Sequence, residues 1–276
     1  MKLSFELDSK TCQIDLARPL PIGISLDFDG MQPNHFGVKK AFREPFKSGG
    51  FVGSTEQGGS CNVSVVQMIP HCNGTHTETV GHIVSEQVNV SVAAGQAMFV
   101  AVVVTVEPVA GNATKDVYRP EFERDDSIIT RTSLEEAFAQ LGFQDATSPK
   151  ALVVRTTPNT KEKASRVYGD SEFPPFFSIE AMNWINELGI KHLLVDVPSI
   201  DRTHDDGLLT NHHLFWNVPE RTHKLAEKSH TDKTITEMVF VPDEIKDGRY
   251  ILNLQIAPFC SDAAPSRPIL FAITEE

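Results

Sequence analysis

Residues 97–106 read AMFVAVVVTV, a ten-residue stretch that is apolar except for Thr105. A membrane-spanning helix needs about 20 apolar residues, so this run is too short to be one. Its β-branched content makes it read as a buried strand. Two helix signals follow it. Ser133-Leu-Glu-Glu136 has the form of a capping box, with Leu134, Phe138 and Leu141 as an apolar stripe and Gly142 as a stop. A second helix starts at Ser178, places Glu180 in its first turn, carries Ala181, Trp184, Ile185 and Leu188 on one side and stops at Gly189. A buried-looking strand follows each helix, at residues 151–155 and 192–197. That alternation predicts a parallel pair joined by a crossover. Further strands are expected at 3–7, 61–69, 82–92, 98–106, 234–241, 250–256 and 268–273. Residues 157–172 and 221–233 read as long polar surface loops.

The charge balance restricts the partners. Lys and Arg number 25 against 37 Asp and Glu, a formal net charge of −12. No basic block offsets it, so neither nucleic acid nor an anionic membrane surface is an expected partner. The opening residues MKLSFELDSKTCQIDL carry acids early and no apolar core, unlike a signal peptide. Cys12, Cys61, Cys72 and Cys260 lack the spacing of a disulfide framework. The expected setting is cytoplasmic, with free thiols. With no internal repeat or linker, residues 1–276 are expected to form one domain.

One short stretch suggests chemistry. IPHCNGTHTETVGHI, residues 69–83, holds three histidines, a cysteine and a glutamate. Cys72, His76, Glu78 and His82 are all at even positions, which share one face of an extended chain. Ten residues at about 3.3 Å each would spread them too far apart, so the chain must turn; Asn73-Gly74 and Gly81 permit it. Imidazole and thiolate suit zinc, and carboxylate also suits manganese. Three ligands and an open position would let a divalent ion activate water, with a free histidine moving protons. There is no HExxH, so the zincin pattern is absent.

GTHTETVGH, residues 74–82, resembles the signature H-x-G-T-H-x-D-x-P-x-H of the cyclase-like metal-dependent hydrolases, the family of bacterial kynurenine formamidase. VDVPSID at 195–201 resembles that family's D-T-P-S-I-D, NHHLFW at 211–216 its H-x-x-L-L, and SDAAPSRPILFAI at 261–273 its G-D-G-S-P-x-R-A-V-A-I. LARPLPIGISLDF at 16–28 is similar to its opening D-L-S-x-P-L. The resemblance implies an α/β fold of the swivelling β/β/α type, a single domain with a mixed β-sheet and a few helices. It also implies a homodimer or higher homo-oligomer that hydrolyses a carbon–nitrogen bond of a small amide or formamide at one or two divalent ions, zinc first and manganese second. His76, Glu78, His212 and Glu237 then fall on metal ligands, and His82 on the proton-transferring histidine. The first ligand falls on Cys72, which keeps the register, with a one-residue bulge that brings in His71 as the alternative. His213 competes with His212. Glu78 replaces an aspartate and Val80 a proline, and the 212–237 interval is long for the family. These departures leave room for a non-catalytic binding relative, or for a lactone hydrolase or cyclase on the same site.

Overall fold

The apolar run is the strand it was expected to be, and a closed ring is built around it. The computed structural model describes residues 1–93, 95, 98–142, 149–169 and 173–275. Ala97, at the head of the run, and residues 170–172, at the end of the first polar stretch, lie outside the described residues. In chain order the ring strands are β1 His76–Glu78, β2 Met98–Val106, β3 Ala151–Thr156, β4 His192–Val195, β5 Thr234–Glu237, β6 Gly248–Ile256 and β7 Ala263–Ala272. Laterally they run β6-β2-β3-β4-β5-β1-β7, and β7 pairs back onto β6 to close the circle. Strands β2 to β5 are mutually parallel, and the other pairings are antiparallel.

Helices α1 Arg131–Ala139, α2 Ile179–Glu187 and α3 Thr210–Trp216 make the successive crossovers between the parallel strands. The pleat divides the side chains. Val102, Val104 and Val106 face outward and pack with Leu134, Ala181, Met182, Phe215 and Trp216 of the helices. Phe99, Ala101 and Val103 pack with Val153, Leu194, Leu252, Leu254 and Leu270 from other strands, so the ring is filled rather than hollow. The hairpin Lys2–Leu7 and Lys10–Asp15 seals the outer face of β6 and β7 through Ile14, Ile251, Ile269 and Phe271. Among the described residues, no helix is long and apolar enough to cross a membrane.

Two local expectations are corrected. Helix α1 is capped by Thr130, whose hydroxyl accepts the Ser133 amide at 3.2 Å, so it starts before the Ser133 box. Residues 82–92 are not a strand. They leave a 3-10 turn at Val80–His82 and reach a short helical turn at Val90–Ala93. The reason is that this segment bonds to the chain before β7: the Val90 amide donates to the Ser261 carbonyl at 2.8 Å.

At the start of β4, His192 is sealed in. Its Nδ1 lies 2.9 Å from Thr234 Oγ1 and its ring centroid 4.0 Å from that of Phe99. Burial, aided by the charge of Lys191, pushes its pKa down to about 4. Above pH 6.5 the imidazole is neutral in both folded and unfolded chains and contributes no pH dependence. Below it the unfolded chain takes the proton first, so stability falls until about pH 4, by roughly 3 kcal/mol in all. We expect urea midpoints to drop between pH 6.5 and 4.5, and the drop to be shallower in His192→Gln. An unchanged slope would show that this histidine is not the titrating group.

Candidate metal centre

Strand β1 lies between β5 and β7, antiparallel to both, and this places the first donors. His76 is opposite Glu237 and Pro265, and Glu78 is opposite Ile235 and Ala263. His76 and Glu78 share a face while Thr77 points away, its hydroxyl 2.8 Å from that of Thr236. Gly74, at φ +135°, supplies the backbone turn just before His76. From the other side, α3 presents His212. Asp201 fixes the start of that helix, accepting the amides of Asn211 at 2.7 Å and His212 at 3.2 Å. Asp205 accepts the amides of Gly207 and Leu209 and is itself buried.

The result is a nest of facing donors. Glu78 Oε1 lies 3.0 Å from His212 Nε2, and Glu78 Oε2 lies 2.9 Å from His71 Nδ1. His76 Nε2 is 3.4 Å from Glu237 Oε2, and His212 Nε2 is 3.9 Å from Glu237 Oε1. The other Glu237 contact fixes that carboxylate: its Oε1 accepts the Ile200 amide at 3.0 Å. His82 stands at the mouth, its side chain 28% exposed and its ring stacked 4.2 Å from that of His71.

Each inner histidine has its outer nitrogen committed. His76 Nδ1 donates to the Gly74 carbonyl at 2.9 Å, His212 Nδ1 to Asp201 at 2.5 Å and His71 Nε2 to Asp262 at 2.8 Å. These oxygens only accept, so they assign the protons to the outer nitrogens. The inner nitrogens of the neutral rings are then lone pairs aimed at carboxylates. That arrangement needs a cation, either an ion or a second proton on the ring. His76 Nε2 is buried with no hydrogen-bond partner. Orphaned donor atoms, with outer nitrogens held by carbonyl or carboxylate, are how metal-binding histidines are built. The residues therefore fit a divalent ion, and among the described residues three groups have mutually close donor atoms: His71-His76-Glu78, Glu78-His82-His212 and His71-His82-Asp262.

The electrostatics of these side chains point the same way. Burial opposes the charged form of His71, but hydrogen bonds to Asp262 and Glu78 outweigh it and push its pKa to about 10. Burial likewise works against charge on His212, and Glu78 and Asp201 raise it well above the usual range. Burial alone would push Glu78 up; the charges of His82 and His212 hold it well below the usual carboxylate range. Hydrogen bonds from His71 and His82 hold Asp262 far down too.

The structure brings His76, Glu78, His212 and Glu237 together, with His82 beside them. His213 faces away, its Nδ1 3.2 Å from the Val218 carbonyl. Cys72 is buried, and burial followed by the charge of Glu237 pushes its thiol up. Among the described residues it joins none of the three donor groups, whereas the adjacent His71 joins two. Sequence reading gave no role to Asp262, although it lies within a quoted segment. It also had no signal for Tyr118, whose hydroxyl donates to Asp201 at 2.7 Å.

The family model described as "Putative cyclase" matches residues 2–202. The chain belongs to this cyclase family. That match ends before His212, Glu237 and Asp262, so their convergence rests on the fold. No curated protein sequence matches the chain significantly. Among solved structures, the cyclase-family chain resembles a predicted metal-dependent hydrolase from Bacillus stearothermophilus at TM-score 0.56 and 17% identity, covering 92% of this chain and 98% of that one. It resembles a structure described as a novel cyclase at TM-score 0.61 and 13% identity, covering 94% and 88%. Isatin hydrolase A from Labrenzia aggregata is similar at TM-score 0.57 and 16% identity, covering 92% and 93%. At these identities the likeness is one of fold.

Proposed function

We propose that the chain is a metal-dependent hydrolase that cleaves the carbon–nitrogen bond of a small amide or formamide. The observation that carries this reading is the set of inner histidines whose outer nitrogens are spent and whose inner nitrogens converge on Glu78 and Glu237. Structural neighbours named as a metal-dependent hydrolase and an isatin hydrolase support it. His76, Glu78, His212 and Glu237, with a donor from residue 71 or 72, would hold one or two ions, zinc or manganese. A bound divalent ion polarises a carbonyl and activates water. Glu78 reaches both sides of the centre, and Asp201 keeps the His212 ring from turning.

His82 has the place of a proton carrier. It is close to Glu78 and His212 and yet reaches solvent. It would take a proton from the nucleophile and return it to the leaving amine. Metal-loaded protein is expected to hydrolyse aryl formamides or small cyclic amides. In His82→Ala, kcat should fall about 10²–10⁴-fold while bound metal, measured by mass spectrometry, stays the same. Full activity in that variant would remove His82 from the mechanism.

The departures at Cys72, Glu78 and Val80 favour one second reading, a non-catalytic relative. Stoichiometric metal with no turnover across amides, formamides and lactones would decide for it, and turnover of lactones alone would point to a lactone hydrolase. We also take the chain to be a cytoplasmic homo-oligomer. The exposed Val63, Val65, Val66 and Ile69 support self-association. Light scattering at the monomer mass would refute it.

A further inference from the structure

Resting on the metal reading above, we propose that His71, turned inward and held by Asp262, is the first ligand, and that the thiol of Cys72 takes no part in holding the ion. Alignment of the signature by register favours Cys72, but the backbone does not keep that register. The Asn73-Gly74 turn interrupts the alternation, so side chains 71 and 76 converge on Glu78. Their ring centroids are 5.2 Å apart. Residue 72 is pinned on both sides of its Cα: its amide donates to the Ile69 carbonyl and its carbonyl accepts the His35 amide, each at 3.0 Å. The next side chain is pinned as well, Asn73 Oδ1 accepting the Ile69 amide at 2.7 Å.

His71 also has what the two unambiguous histidines have, an oxygen that fixes its outer nitrogen. Asp262 does for His71 what the Gly74 carbonyl does for His76 and Asp201 does for His212. The chain is built to place that carboxylate. The Asp262 carbonyl accepts the Thr79 amide at 3.0 Å, and its Oδ1 accepts the Ser261 hydroxyl at 2.9 Å. Gly81 leaves the necessary space: a Cβ there would lie 3.2 Å from Asp262 Cβ and 2.9 Å from the Val88 carbonyl oxygen. Asp262 is thus a positioning residue that acts on the ion through His71. The donor set is then nitrogen and oxygen only, which suits manganese as well as zinc.

Cobalt(II) titration of the chelator-treated full chain, followed by optical absorption, tests this without turnover. The expected spectrum has visible ligand-field bands and no intense near-ultraviolet sulfur-to-cobalt band. Cys72→Ser should give the same spectrum and an affinity within about threefold, while Asp262→Asn should weaken binding about 10–100-fold. His71→Ala should weaken it further; if that variant does not fold, the wild-type and Cys72→Ser spectra decide alone. A sulfur-to-cobalt band that Cys72→Ser abolishes would overturn the assignment and leave the metal reading standing. Failure of the wild-type chain to bind cobalt, zinc or manganese would overturn both.

Discussion

Replacing Glu78 by alanine is expected to empty the centre. This carboxylate is 1% exposed and, among the described residues, is the one acidic group in contact with both His71 and His212. Removing even an outer partner of a metal ligand costs about 10–100-fold in affinity, so loss of this inner oxygen pair should cost more than about 100-fold. Activity on an aryl formamide should fall at least as far. Glu78→Asp, shorter by one methylene, should keep part of the affinity because the charge remains. Metal content after gel filtration is the measurement. A Glu78→Ala protein that retains one ion per chain would show that the centre lies elsewhere. Binding should also weaken as pH falls, because the ion must displace the inner-nitrogen protons that Glu78 favours on His71 and His212.

Lys163→Met should cost about 3–5 kcal/mol of folding stability. The ammonium is buried, donating to the Thr156 carbonyl at 2.6 Å, to Thr156 Oγ1 at 2.9 Å and to Asp196 at 2.8 Å. Burial lowers the lysine pKa and raises that of Asp196, so each charge is tolerated only because of the other. Removing one leaves the other stranded. Asp196, its pKa already raised above the unfolded value, would rise further. Its destabilising effect is therefore absent in acid and grows as pH climbs through the carboxylate range. Lys163→Met/Asp196→Leu should recover part of the loss, since an apolar pair can replace a buried ion pair at little cost. Urea denaturation of the four proteins of the cycle is the check. A single mutant within about 0.5 kcal/mol of wild type would mean the pair is not buried in solution.

Much of the scaffold was legible because single residues decided it. The β-branched run could only be an enclosed strand, and Ser178 with Gly189 bounded α2 correctly. Ser178 Oγ accepts the Ala181 amide, and Gly189 takes φ +73°. The start of α1 was misplaced because Thr130 and Ser133 are both competent caps, and only packing chooses between them. Residues 82–92 misled through apolar alternation; their course is set by contacts with Ser261 and Asp262, which local periodicity does not register. In the centre, His76 and Glu78 were readable from spacing on one strand. The inward turn of His71 depends on a backbone bend, and its carboxylate partner comes from the far end of the ring.

The order of strands around the ring also sets an order of assembly. The strand that carries His76 and Glu78 is the earliest ring strand to be synthesised, yet both its neighbours, β5 and β7, come after every helical crossover. The parallel half can zip up as it is made, while the donor-bearing segment stays unpaired until late. Such distant pairings are slow to form, so a ribosome-bound intermediate would have its helices docked well before it could capture an ion.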